Sequence, residues 1–314
     1  MLQEVRLQPS DEHKTRIRLW FSDDPAVGGR IELAHRIGVL SPRTEVVSRF
    51  TAAELHGATF FSEDNGYETI AHASGSGEEQ IPEHHFPSQM STFLSDGNSM
   101  LGVALARSHG VASLYNGTLD VMQHRRGGPY TGSGGTVVLD DADRTFSETW
   151  LSLGNASRAN ALRHENKRRL NRPLALAYAV KPAGAKGTAV DSLGAKAAAL
   201  PSSLLLQSVR ATAPEREELY VNLLHEYAVG ELPKTASAAA DVDLGALIGP
   251  FRPELRSFAE TTLDGMIPIG ELDRLHWNTT GAKRAGDAMS RAASAEHEQL
   301  TIRPFELRTF LARE

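Results

Sequence analysis

Short runs of alternating apolar and polar residues dominate this chain from its first positions. Val5-Arg6-Leu7, Ile17-Arg18-Leu19-Trp20-Phe21, Arg30-Ile31-Glu32-Leu33 and Glu45-Val46-Val47-Ser48-Arg49-Phe50 each present one apolar face when extended. Asp23-Asp24-Pro25 and Gly28-Gly29 punctuate them. Thr59-Phe60-Phe61 and Glu68-Thr69-Ile70 flank Asp64-Asn65-Gly66, which reads as a hairpin turn. Strands follow at Ser91 to Leu94 and Leu101 to Ala106, then at Leu174 to Val180, Leu204 to Val209, Leu219 to Tyr227, Gln299 to Arg303 and Phe305 to Leu311. Many short strands with Gly, Pro and Asn turns, and no long β-α-β alternation, predict an all-β sandwich.

The sharpest local signal is Ser113-Leu114-Tyr115-Asn116-Gly117-Thr118 running into Leu119-Asp120-Val121-Met122-Gln123-His124-Arg125-Arg126. Asn-Gly between apolar residues predicts a type I′ hairpin, which needs positive φ at both central positions. Adjacent Arg125 and Arg126 must then point to opposite sides of the sheet, so one faces the interior or a cleft. A buried guanidinium needs acceptors, and Asp64 is the candidate partner. Gly127 to Gly135 reads as a connecting loop, since no Gly-Lys-Ser/Thr follows to make a phosphate cradle. One helix is expected over 157–170, capped by Asn155 or Ser157 and stopped before Pro173. Its bases Arg158, Arg163, Lys167, Arg168, Arg169 and Arg172 read as a solvated face. The Ala/Gly/Lys-rich stretch 182–199 marks a boundary, giving domains at 1–200 and 201–314.

With 314 residues the chain has room for two cores, and a net charge of -6 argues against general nucleic-acid binding. Nucleic-acid binding would rest on the basic helix alone and would weaken steeply with salt. No apolar run reaches the roughly 20 residues of a membrane span. No targeting signal is visible at the start of the chain, and zero cysteines remove thiolate and disulfide chemistry.

Catalytic constellations are not visible. His84 and His85 are adjacent and diverge on a strand, no His-x-x-x-His occurs, and no Gly-x-Ser-x-Gly elbow is present. No metal site is expected in this chain. Asn116, Asn155 and Asn278 begin glycosylation sequons, which matter only in a secretory setting.

A colinear set of fragments carries a family resemblance. Glu45 to Phe50, Phe61-Ser-Glu-Asp-Asn-Gly66, Ser95-Asp-Gly-Asn98, Ser113 to Arg126, Tyr227 to Glu231, Glu260 to Leu263, Leu275 to Thr279 and Ile302 to Leu311 run in order. Together they resemble the C-terminal region of glycoside hydrolase family 38, closest to lysosomal acid α-mannosidases. The resemblance implies a galactose-mutarotase-like supersandwich followed by a smaller C-terminal β-sandwich. It also implies a catalytic barrel, in the same or a separate polypeptide, holding zinc and the catalytic carboxylates. No counterpart of that barrel is found here, so no catalytic residue and no cofactor are expected in this chain.

By the same resemblance, Arg125, Arg126, Tyr130 and Ser133 fall on the rim of the sugar site, and Asp64, Asn65 and Gly66 form a structural motif. The family's loop reads Asp-Asp-x-Arg-Gly, whereas Pro129-Tyr130-Thr131-Gly132-Ser133-Gly134 stands here, with serine in the arginine's place. The implied function is the β portion of an enzyme that removes terminal α-D-mannose from glycans. Its implied partners are the barrel and a mannose-containing glycan, and the compartment is the lysosome or vacuole. The alternative is a stand-alone, non-catalytic carbohydrate-binding or scaffold protein derived from such a fragment.

Overall fold

The computed structural model describes residues 1–24, 28–73, 84–127, 142–173, 200–213, 217–232, 236–250, 252–272 and 299–314. The chain divides into two compact units, Met1–Tyr178 and Ala179–Glu314. That division falls inside 174–199, a stretch outside the described residues, as is the strand expected at Leu174 to Val180.

In the first unit, β1 (Leu2–Leu7), β2 (Lys14–Trp20), β3 (Ile31–Ile37), β4 (Thr44–Thr51), β5 (Thr59–Glu63) and β6 (Thr69–His72) come first. Then follow β7 (Phe86–Ser88), β8 (Ser91–Ser95), β9 (Ser99–Leu105), β10 (His109–Ala112), β11 (Thr118–Arg126) and β12 (Thr145–Asn155). They form an eight-stranded sheet, order β1-β2-β3-β12-β9-β8-β5-β6, and a four-stranded sheet, order β4-β11-β10-β7. All pairings are antiparallel, with Val121 of β11 opposite Val111 and Ser48. The core joins both sheets: Phe60, Leu94, Val103, Leu105 and Leu151 of the larger pack with Val111, Leu119 and Val121 of the smaller. Burial of these side chains contributes about 1.5–3 kcal/mol each to holding the sandwich closed.

The Asn-Gly turn departs from the type I′ expectation. Thr118 N donates to Tyr115 O at 3.0 Å, and Gly117 takes φ 71°, but Asn116 does not have positive φ. One positive φ at the third position is the type II pattern. The reason is contact with the residue just past β4: Ala52 N donates to Gly117 O at 2.9 Å, and a Cβ on Gly117 would stand 2.8 Å from Ala52 O.

Helix α1 (Ala156–Asn171) covers part of the outer face of the large sheet, beside β9, β12 and β8. Asn155 caps it by accepting from Ser157 N at 3.2 Å. The basic residues do not form one solvated face. Arg163 is fully buried and Lys167 nearly so, while Arg158 and Arg169 are exposed. Gly102 permits the approach, because a Cβ there would lie 2.7 Å from Ser152 Oγ and 3.2 Å from Arg163 Cβ.

The second unit contains β13 (Leu204–Ala211), β14 (Leu219–His225), β15 (Ala240–Asp243), helix α2 (Leu244–Ile248), β16 (Ser257–Thr261), β17 (Gln299–Ile302) and β18 (Leu307–Arg313). Its sheets, β13-β14-β18-β16 and β15-β17, enclose Val221, Leu223, Leu244, Ile248, Phe258, Ile302 and Phe310. Both units are β-sandwich structures, as the alternating pattern anticipates. Among the described residues no helix is long and apolar enough to cross a membrane.

Candidate functional site

Arg125 and Arg126 end β11 and launch the segment that carries Tyr130 and Ser133. Those two residues and Asn278 lie outside the described residues. Arg125 Nε pairs with Glu45 at 3.0 Å on an exposed flank, and Arg126 Nη1 donates to Leu40 O at 2.7 Å. Arg43 N donates to Gly127 O at 3.0 Å, so the start of β4 and the end of β11 are tied together. Asp64, the anticipated arginine partner, sits just past β5 in the other sheet and is exposed. The partners found for the arginine pair are instead Glu45 and the carbonyl of Leu40.

The residue before Asp64, Glu63, does take an arginine, one from helix α1. Glu63 closes β5 on the face covered by α1, and its side chain is fully buried. Arg163 Nη1 donates to Glu63 Oε1 at 2.6 Å, and Lys167 Nζ donates to the same oxygen at 2.9 Å. Arg163 also donates to Ser91 Oγ at 2.5 Å and twice to Asn160 Oδ1, at 3.0 and 2.8 Å, with Phe93 4.5 Å beneath the guanidinium. Burial pushes the Glu63 carboxyl up, but Lys167 and Arg163 outweigh it, and the net effect is a pKa below the ordinary value. Glu63 is therefore an ionised anchor without a proton to donate.

This anchor extends into the Asp64-Asn65-Gly66 turn. Asn65 Oδ1 accepts from Tyr67 N at 3.0 Å and Glu68 N at 2.7 Å, an Asx turn, while Gly66 takes φ 81°. Lys167 Nζ reaches Gly66 O at 3.1 Å, and Arg172 Nη2 reaches Tyr67 OH at 2.6 Å. One signal for this cluster lies in the sequence: Arg163 and Lys167 stand four apart on one helix face, and Glu63 shares a strand face with Phe61.

Between the two sheets, His35 Nδ1 lies 3.1 Å from Thr15 Oγ1, and its Nε2 lies 3.4 Å from Ser48 Oγ. His109 Nδ1 lies 2.7 Å from Met122 O and Nε2 lies 3.4 Å from Ser147 Oγ. Burial lowers both histidine pKa values, that of His35 to about 4 with the His109 charge contributing. Burial thus favours the neutral imidazole at both positions. Among the described residues no three His, Asp or Glu side chains converge to hold a metal ion. Asn116 and Asn155 are exposed, with their side-chain oxygens accepting from Gly57 N at 2.6 Å and Ser157 N at 3.2 Å.

The described residues thus define a two-unit β-sandwich chain with buried ionic anchors. Sequence comparison adds what the chain is similar to: its matches among curated proteins are α-mannosidases. It is 28% identical over 316 residues to a human epididymis-specific α-mannosidase, covering 90% of this chain and 30% of that protein. It is 28% identical over 293 residues to a lysosomal α-mannosidase of Bos taurus, covering 85% of this chain and 28% of that protein. A crystal structure of a glycoside hydrolase family 38 protein from Enterococcus faecalis shares the fold, with TM-score 0.54 at 13% identity, over 96% of this chain and 30% of that one. No family model matches. The chain spans about 30% of the length of the curated relatives it matches.

Proposed function

We propose that this chain is the C-terminal β portion of an α-mannosidase-like glycoside hydrolase, which shapes and covers a catalytic barrel carried by another segment or polypeptide. The reaction of the assembled enzyme is removal of terminal α-D-mannose from glycans, with the carboxylates and zinc supplied by the barrel. The observation that carries this reading is the match itself: up to 90% of this chain aligns with α-mannosidases, yet it accounts for only 30% of them. The geometry is consistent with a supporting role, since the buried carboxylate of Glu63 is pinned by two cations. The lysosomal relatives support a lysosome or vacuole as the compartment. Arg125 and Arg126 act by bracing the loop that follows them, with Tyr130 and Ser133 at the sugar-site rim.

Co-expression tests the reading. A family 38 α-mannosidase barrel stripped of its own β portion is produced with and without this chain. Co-purification and a gain in aryl α-mannoside hydrolysis of at least tenfold are expected. A soluble barrel that neither binds the chain nor gains activity contradicts the proposal.

A further inference from the structure

The hairpin joining β2 to β3 builds a second feature, independent of the α-mannosidase reading. Trp20 N donates to Arg30 O at 3.2 Å and Gly29 N donates to Trp20 O at 3.3 Å, with Gly29 at φ 82°. This closure folds Arg30 back between two indoles, its Cζ 4.1 Å from the Trp150 ring centre and 5.5 Å from that of Trp20. Arg30 is only 6% exposed, and Glu32 binds one nitrogen, Nη2, at 2.8 Å. Arg30 Nε, Arg30 Nη1 and Trp20 Nε1 are buried with no hydrogen-bond partner. Buried donors left unpaired each cost about 1–3 kcal/mol, so three at one place call for an occupant.

Trp20 and Arg30 line a cleft of about 740 Å³, walled also by Phe21, Ser22, Asp23 and Arg158. That volume lies within the usual small-molecule range of roughly 300–1,000 Å³. The unsatisfied capacity at this wall consists of donors only, so an occupant must bring acceptors. A neutral sugar hydroxyl would bring its own proton into the same corner, whereas a carboxylate brings acceptors alone. The Trp20 indole and exposed Phe21 suit a compact carbon skeleton.

We propose that this cleft binds a small organic carboxylate, of sugar-acid or simple carboxylic-acid origin. Half-buried Trp20 is the wall that turns aside to admit it, and Arg158 on the rim supplies a second cation.

The test uses the full chain and its intrinsic fluorescence, since two of its three tryptophans flank Arg30. Glucuronate, citrate and glucose are titrated at constant ionic strength. Saturable change with glucuronate but not glucose is expected; an equal response to citrate assigns the simple-acid source, and a glucuronate-only response assigns the sugar acid. Calorimetry on Trp20→Phe, which keeps an aromatic face but removes one donor, and on Arg158→Ala, at the exposed rim, should show affinity lowered several-fold. Glucose binding as well as glucuronate, no saturable change with either acid, or full affinity in both variants overturns the proposal. None of these results depends on mannosidase activity, so the two readings fail separately.

Discussion

Glu63 is where a single side chain decides the most. Two cations share one carboxylate in a region closed to water, and removing that charge leaves both without compensation. Glu63→Gln is expected to lower unfolding stability by about 3–5 kcal/mol in urea denaturation. A loss below about 1 kcal/mol would show the cluster to be solvated. His35 sets a second, pH-dependent term. Its folded pKa is about 4 against an ordinary value of 6.5, so the unfolded state binds more protons between those limits. Stability is then complete above the ordinary histidine value and is lost as pH falls through about 4, by roughly 3 kcal/mol. The depressed Glu63 pKa acts in the same direction below the usual carboxylate range. Stability measured from pH 7 to pH 4 should fall, and His35→Gln should flatten the histidine part of that fall. A level profile in the native chain would refute the assignment. A protein resident in an acidic compartment works on the falling part of this curve.

At the scale of elements, α1 and its bed on the large sheet depend on one glycine. Gly102→Val should push α1 off β9 and β12, cost about 1–3 kcal/mol, and speed amide exchange along the helix more than along β11. Equal exchange in both elements would show that the close approach does not matter. The helix itself was legible from its caps and its unbroken helix formers, but its buried face was not. Asn160, Arg163, His164, Asn166 and Lys167 are all buried, so the usual reading of charge as solvent-facing assigns two of its bases to the wrong side. β12 hid for a related reason. Its inward residues include Ser147 and Thr149, while Phe146 is 66% exposed, which inverts the sign of the alternation. By contrast β11 was readable, because Leu119 and Val121 keep period two after a strong turn signal. The Trp20–Arg30–Trp150 stack was not, since only the pairing of β3 with β12 brings Trp150 opposite Glu32.

Across the whole molecule, the colinear fragments were enough to indicate the similarity to α-mannosidases, because short motifs in fixed order specify more than any one of them. The partner of the arginine pair was out of reach: which sheet a strand joins depends on pairings far apart in sequence, such as Arg126 opposite Thr44. The proposed division of labour, with chemistry in a barrel and this chain supplying the β-sandwich support, has one direct test. The purified chain is assayed for hydrolysis of an aryl α-mannoside, with and without added zinc. No turnover in either condition is the expected result. Zinc-dependent turnover that persists through stringent purification and follows the chain's own elution profile would place a catalytic site within these 314 residues and contradict the account.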